Sequence, residues 1–157
     1  MNRDGSLASA VSAIAAGLLL LLSACGRSPS DQELVQRFEE NRAVYERLRD
    51  LLLGDTNLKG VTPFGVQMAD SPIYVTPPTP LISSAKFQDY MDLLKAAGGT
   101  RAGRSDGLHP VICIGVYVGG WYGDTRHKNI CWRETPLAKG GPFTDKLIER
   151  NWYLEED

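Results

Sequence analysis

VICIGVYV, residues 111–118, predicts a β-strand, because β-branched side chains pack well on the pleated surface of a sheet. Pro110 precedes this stretch, and a longish loop from Gly119 to Asp124 is expected after it. A second strand is predicted over Lys128 to Arg133. A third is predicted over Leu147 to Leu154, whose bulky apolar groups would otherwise be exposed. The C-terminal part of the chain therefore predicts a small antiparallel sheet.

Two helices are predicted on the N-terminal side of this sheet. Ser30-Asp31-Gln32-Glu33 has the form of a capping box, and apolar residues then recur at steps typical of a helix, at Leu34, Phe38, Tyr45, Leu48 and Leu52. The first helix is expected over about Asp31 to Leu53. The second is expected to begin after Ser83 or Ser84 and to end at Gly98-Gly99, with one apolar face made of Phe87, Tyr90, Met91 and Leu94.

The remaining segments predict irregular structure. Five of the nine prolines lie between Pro63 and Pro80, and this predicts an extended connection, since proline cannot donate to a central strand. Thr100 to Gly107 predicts a mobile loop. The predicted fold is an α+β domain in which two helices pack on a small antiparallel sheet of about three strands.

Composition is typical of one small globular domain. The chain has 157 residues, of which 43% are hydrophobic and 23% charged, with a formal net charge of -2. Such a near-neutral balance lacks the basic footprint of a nucleic-acid-binding protein, so no nucleic-acid partner is expected. Phosphate-loop, H-E-x-x-H and dinucleotide motifs are also missing from the sequence, and no cofactor is expected.

The first 25 residues have the features of a secretory signal. Arg3 is followed by an uncharged segment from Leu7 to Ala24 that ends in Leu22-Ser23-Ala24-Cys25. This ending resembles the lipobox of bacterial lipoproteins, and the resemblance implies that Cys25 is lipidated after cleavage. An uncleaved membrane helix is the alternative, but the segment is at the short end of the spanning range.

The lipobox resemblance implies a division of the chain and a location. Residues 1–24 would be the signal peptide, residues 25–30 the lipidated cysteine and its tether, and residues 31–157 a single envelope domain that faces the periplasm. Several acyl chains on Cys25 would hold the protein at the membrane permanently. Gly26 stands where inner-membrane lipoproteins carry aspartate, which implies the outer membrane.

Cys113 and Cys131 remain as an even pair, and in an oxidising compartment they predict a disulfide. If they face each other across two antiparallel strands, Ile112 faces Trp132 and Ile114 faces Ile130, so the apolar pairs share the other face of the sheet. A zinc site formed with His109 and His127 is the alternative. Because four residues of a strand span about 13 Å, these four side chains would not converge, and no metal is expected.

Two further groups of residues suggest function. The predicted hairpin tip carries aromatic and cationic residues that could form a partner-binding surface, namely Trp121, Tyr122, Arg126, His127 and Lys128. A solvated sheet edge is the plainer alternative. Gly103-Arg104-Ser105-Asp106-Gly107 matches G-x-S-x-G formally, with Asp124 and His127 in triad order, but no strand is expected before the serine and no helix after it. Trp132, Trp152 and Tyr153 are expected in the core.

The ending Ile148-Glu149-Arg150-Asn151-Trp152-Tyr153-Leu154, with Val116-Tyr117 before a glycine pair and the strand from Lys128 to Trp132, resembles a group of small uncharacterised bacterial lipoproteins. The resemblance implies a lipid anchor, two helices and a short sheet, and it implies no activity. We therefore expect a non-enzymatic, lipid-anchored envelope protein that binds a protein partner, such as a toxin that it neutralises. A small hydrolase using Ser105, Asp124 and His127 and a structural subunit of an envelope complex are the alternatives.

Overall fold

The computed structural model of the protein describes residues 27–107, 109–121, 124–136 and 145–156. These residues form three helices, α1 (Asp31–Glu40), α2 (Arg42–Gly54) and α3 (Ser84–Ala96). They also form eight strands, which are β1 (Leu58–Thr62), β2 (Gly65–Met68), β3 (Tyr74–Val75), β4 (Arg101–Ser105), β5 (Val111–Trp121), β6 (Asp124–Arg133), β7 (Lys146–Glu149) and β8 (Trp152–Glu156).

The strands form one antiparallel sheet in the order β3-β2-β1-β4-β5-β6-β8-β7. The prediction of two helices on about three strands is therefore wrong, although the fold class remains α+β. Short polar or glycine-containing strands supply most of the additional sheet. Their pairing depends on neighbouring strands rather than on their own composition, and so local sequence does not reveal them.

The central pair has the predicted register. Cys113 lies opposite Cys131, Ile112 opposite Trp132 and Ile114 opposite Ile130. The pairing continues beyond the predicted ends of both strands to Trp121 and Asp124, so these residues and Gly119 and Gly120 belong to strands, and the rest of the longish loop expected from Gly119 to Asp124 lies outside the described residues. Backbone pairing extends the two strands through glycine and polar residues that have little strand propensity of their own.

Three other segments differ from expectation. The predicted mobile loop is largely β4, which pairs with both β1 and β5. The proline-rich connection contains β2 and β3, and β1 precedes it. The expected last strand is a hairpin, in which Arg150 adopts a φ of 40° at the turn between β7 and β8. This turn buries Trp152 and Leu154 but leaves Leu147 62% exposed.

The expected first helix is divided in two at Asn41. The backbone N–H of Asn41 donates to the carbonyl oxygens of Arg37 and Phe38 at 3.1 and 3.2 Å, and its side-chain amide donates to that of Arg37 at 3.0 Å. These bonds end α1, and α2 begins at the next residue. The predicted apolar residues of both helices are nevertheless buried. None of the three described helices combines the length and apolarity needed to cross a membrane.

The second predicted helix is confirmed as α3. The Ser83 hydroxyl caps it by accepting from the backbone N–H of Lys86, and Tyr90 and Leu94 are buried on its inner face. Gly98 follows its C-terminus with a φ of 65°, a conformation that glycine adopts readily. The tyrosine hydroxyl of Tyr90 donates to Asp55 at 2.6 Å, and this contact fixes α3 against the end of α2.

The core lies between the helices and one face of the sheet. Phe38 of α1 packs against Tyr45 of α2 and Trp152 of β8, with ring centroids 5.4 and 5.1 Å away. The Tyr45 hydroxyl donates to the carbonyl oxygen of Ala97 at 2.8 Å. Burial raises the pKa of Tyr45 to about 12, so its hydroxyl remains a donor at neutral pH. Trp152 is buried in this core as predicted and Trp132 is partly buried against it, whereas Tyr153 is buried on the other face of the sheet, paired with Cys131.

Candidate functional site

The face of the sheet that turns away from the helices, here called the outer face, carries the candidate site. Residues paired directly across antiparallel strands share a face. One such row follows the outer face through seven strands, from β3 to β8, and consists of Tyr74, Gln67, Gly60, Gly103, Cys113, Cys131 and Tyr153. In the described part of the chain no helix covers this face.

A groove of about 330 Å³ crosses the middle of the outer face. Gly60 and Gly103, which are directly paired on β1 and β4, form its floor because neither has a side chain. Tyr74 and Gln67 stand on one side of the floor, and Cys113 and Glu155 stand on the other. With strands about 4.8 Å apart, Gln67 and Cys113 are separated by about 14 Å across the sheet.

Three cationic residues line the groove, Lys59, Arg101 and Arg104, and Arg104 pairs with Asp106 at 2.7 Å. Lys59 and Arg101 are half-buried, and neither has an ion pair or a side-chain hydrogen bond with another described residue. Arg101 lies across Gly115 of the next strand, because a Cβ atom there would be 2.7 Å from its Cγ and 2.8 Å from its Nε. The glycine thus allows the arginine to lie flat along the sheet.

The far wall of the groove contains the predicted disulfide. Cys113 and Cys131 are bonded, and Glu155 Oε2 lies 3.2 Å from the sulfur of Cys131 and 3.7 Å from that of Cys113. Arg133 Nη2 lies 2.8 Å from the buried carboxylate of Asp145 and 3.5 Å from Glu155 Oε2. Arg133 therefore orients the wall carboxylate.

Among the described residues, the two cysteines and Glu155 are the one group of metal-ligating type within mutual reach. The cysteine sulfurs bond to each other, so they do not offer the thiolates that a metal requires. His109 is elsewhere, exposed and 3.6 Å from Glu134. His127 pairs with Val118, about 20 Å along β5 from the end that His109 precedes. The structure does not bring together the four residues of the alternative zinc site.

The structure describes three of the five predicted partner-binding side chains, and these three do not all lie on one face of β6. Lys128 is only 9% exposed and points to the helix side, where its Nζ lies 3.2 Å from Asp31. His127 is the next residue of the same strand and therefore faces the other way, with its Nδ1 buried and without a hydrogen-bond partner in the described residues. Arg126 is exposed. The side chain of Trp121 and the whole of Tyr122 lie outside what the structure describes.

The residues of the alternative triad are also apart. Ser105 pairs with Val111 at one end of β5, and His127 pairs with Val118 toward the other end. Seven residues of extended chain separate these positions, which corresponds to about 20 Å. A serine hydroxyl and an imidazole must lie within hydrogen-bond reach for this chemistry, and here they do not. Asp124 is described only by its backbone pairing with Trp121.

Sequence reasoning missed the residues that form the groove. Lys59, Gly60, Arg101 and Gly103 lie on strands that were not predicted. Arg101-Ala102-Gly103-Arg104-Ser105 has one apolar side chain, a glycine and no β-branched residue, so it carries little strand signal of its own. Comparisons with protein-family models, curated proteins and solved structures find no match to this chain.

Proposed function

We propose that this is a non-enzymatic, lipid-anchored protein of the bacterial envelope whose α+β domain binds a protein partner through the outer face. The observation that carries the proposal is the groove, which no described helix covers and in which Lys59 and Arg101 have no ion pair with another described residue. A standard protein interface takes about 800 Å² from each partner. At about 3.3 Å per residue and about 4.8 Å between strands, the eight strands, which range from 2 residues in β3 to 11 in β5, offer a face of about 700 Å².

The proposed anchor limits where the partner is. Cys25 would carry the lipid, and α1 begins at Asp31, so the connection reaches at most about 20 Å when fully extended. The domain would then lie beside the membrane and face the periplasm. Gly26, which stands where inner-membrane lipoproteins carry aspartate, favours an anchor in the outer membrane. Neutralising a toxin at that surface is one form of this function, and serving as a subunit of an envelope complex is another.

The test is capture of the full chain from its own envelope after gentle crosslinking, with a Cys25→Ser variant as the control. We expect the wild-type chain in the membrane fraction together with one stoichiometric protein, and the variant in the aqueous fraction. Recovery of wild-type chain from the aqueous fraction would contradict the anchor. Absence of any stoichiometric protein from the wild-type capture would contradict the partner.

A further inference from the structure

We propose that the groove on the outer face is a carboxylate-binding site that receives an aspartate or glutamate side chain from an acidic segment of the partner. This inference rests on the proposed function and adds the chemistry of recognition. It depends on Lys59 and Arg101, on the glycine floor between the strands and on the charge of the far wall. None of these residues belongs to the core.

The two cations differ from the other half-buried cations of the domain. Lys86, Arg104 and Arg133 each have an acidic partner within 4 Å, and Arg37 reaches the carbonyl oxygen of Gly98. In the part of the chain that the structure describes, Lys59 and Arg101 have no acidic partner and no side-chain hydrogen bond. A partly desolvated charge without a counterion is costly. An anion in the groove would remove that cost.

Arg101 suits a carboxylate in particular. Its guanidinium presents a planar fork of donors that matches the two oxygens of a carboxylate. Gly115 positions it, since any larger residue there would collide with the middle of the arginine side chain. Lys59 adds a second charge on the neighbouring side of the floor. The amides of Gln67 and Asn129 line the same groove and can bond the backbone of an incoming segment.

The far wall disfavours a highly charged ligand. Glu155 lies across the floor from Lys59, so one carboxylate faces the two lining cations that have no ion pair with another described residue, while Arg104 pairs with Asp106. This balance matches one acidic side chain, whereas a polyanion would meet repulsion from Glu155. The groove volume of about 330 Å³ is at the lower end for ligand sites, which fits a side chain with a short stretch of backbone.

The glycine floor provides a variant that blocks the groove without disturbing the fold. A Cβ atom at Gly103 would meet only the carbonyl oxygen of Lys59, at 3.5 Å, which is an ordinary contact. Gly103→Leu would therefore fill the groove while the strand tolerates the change. Gly115→Ala offers a second route, because it would displace Arg101 without removing any charge. Arg47→Gln is the matched control, since Arg47 is exposed on α2 and has no ion pair with a described residue.

The test is a titration of the ¹⁵N-labelled full chain in neutral detergent micelles, followed through the amide resonances of Gly60 and Gly103. The probes are a blocked peptide with one glutamate in a Gly-Ser background, the same peptide with glutamine, and acetate. We expect the glutamate peptide to bind at least tenfold more tightly than either of the others. Arg101→Gln should weaken that binding about tenfold, Gly103→Leu should abolish it, Arg101→Lys should restore part of it, and Arg47→Gln should leave it unchanged.

Three results would overturn the inference. Equal binding of the glutamine peptide would show that charge is not recognised, and equal binding of acetate would indicate a site for small anions rather than for a protein segment. Equal effects of Arg101→Gln and Arg47→Gln would show only general charge attraction. A dispersed amide spectrum of Gly103→Leu verifies its fold, and Gly115→Ala, which should also weaken binding, provides an independent variant.

The two proposals can fail separately. If the crosslinked partner is captured equally well by wild type and by Arg101→Gln, the carboxylate site is wrong while partner binding stands. If the glutamate peptide binds as expected but the envelope yields no partner, the proposed function is wrong while the site stands.

Discussion

At the scale of single residues, the disulfide between Cys113 and Cys131 closes a loop with a sequence separation of 18. In the chain-entropy model, closing a loop of this size stabilises the folded state by about 3 kcal/mol. We expect the double variant Cys113→Ala with Cys131→Ala to lose about that amount of unfolding free energy in urea titrations. A thiol reductant should destabilise the wild-type protein and leave the double variant unchanged. Equal sensitivity of the two proteins would contradict the prediction.

The same residues show why some contacts could be predicted from the sequence. A slip of one residue would move Ile112 and Ile114 to the wrong face, and a slip of two would separate the cysteines, so the apolar alternation and the cysteine pair together determine the register. Arg101 and Lys59 carry no comparable constraint. These two residues matter because they line the groove, and the other residues of the groove lie on strands that are distant in sequence, so the local sequence does not reveal the site.

At the scale of elements, the two capped helices differ in a testable way. Ser30 and Glu33 form a reciprocal box, in which the Ser30 N–H donates to the glutamate at 2.6 Å and the serine hydroxyl accepts from the Glu33 N–H. At Ser83 only the second bond is possible, because Lys86 occupies the position of the acid. The Ser30 hydroxyl also donates to the Glu33 carboxylate at 2.8 Å, a bond that Ser83 lacks. Ser30→Ala removes both hydroxyl bonds and should cost about 1 kcal/mol of unfolding free energy, and Ser83→Ala, which removes one, should cost less.

The measurement for the caps is urea unfolding at neutral pH, with Ser84→Ala as the control. Ser84 is exposed at the first position of α3 and has no side-chain hydrogen bond with a described residue. We expect its replacement to change the unfolding free energy by less than about 0.5 kcal/mol. A larger loss at Ser83 than at Ser30 would show that the bond from the Ser30 hydroxyl to the Glu33 carboxylate contributes nothing.

Helices were predictable here because their determinants are local. The capping box, the apolar spacing and Gly98 all lie within or beside the element that they define. The break at Asn41 was not predictable on the same basis, because the apolar spacing continues through it and the bend serves the fit of Phe38 and Tyr45 to the sheet. Strands β1 to β4 depend on partners elsewhere in the chain, so their own residues carry little evidence of pairing.

At the scale of the whole molecule, Asp31 joins the first helix to the last strands. Its carboxylate pairs with Lys128 of β6 and with Lys146 of β7, and it also lies in the first turn of α1, where the helix dipole favours negative charge. The hydrogen bond from Lys146, followed by that from Lys128, holds the pKa of Asp31 below its usual range. Protonation of this one group therefore weakens contacts between distant parts of the chain.

The sign of the resulting pH dependence follows from linkage. A carboxylate whose pKa is lower in the folded state stabilises the fold above its unfolded value of about 3.9, and this stabilisation is lost as the pH falls through the folded value. Asp31→Asn should therefore lower the stability at pH 6, and the difference from wild type should shrink steadily below about pH 4. Asp89→Asn is the control, because Asp89 is exposed and has no ion pair with a described residue. Urea unfolding at a series of pH values measures the stability of both variants and of the wild type. If the stability difference between Asp31→Asn and wild type stays the same below pH 4, the charge of the carboxylate is not what stabilises this junction.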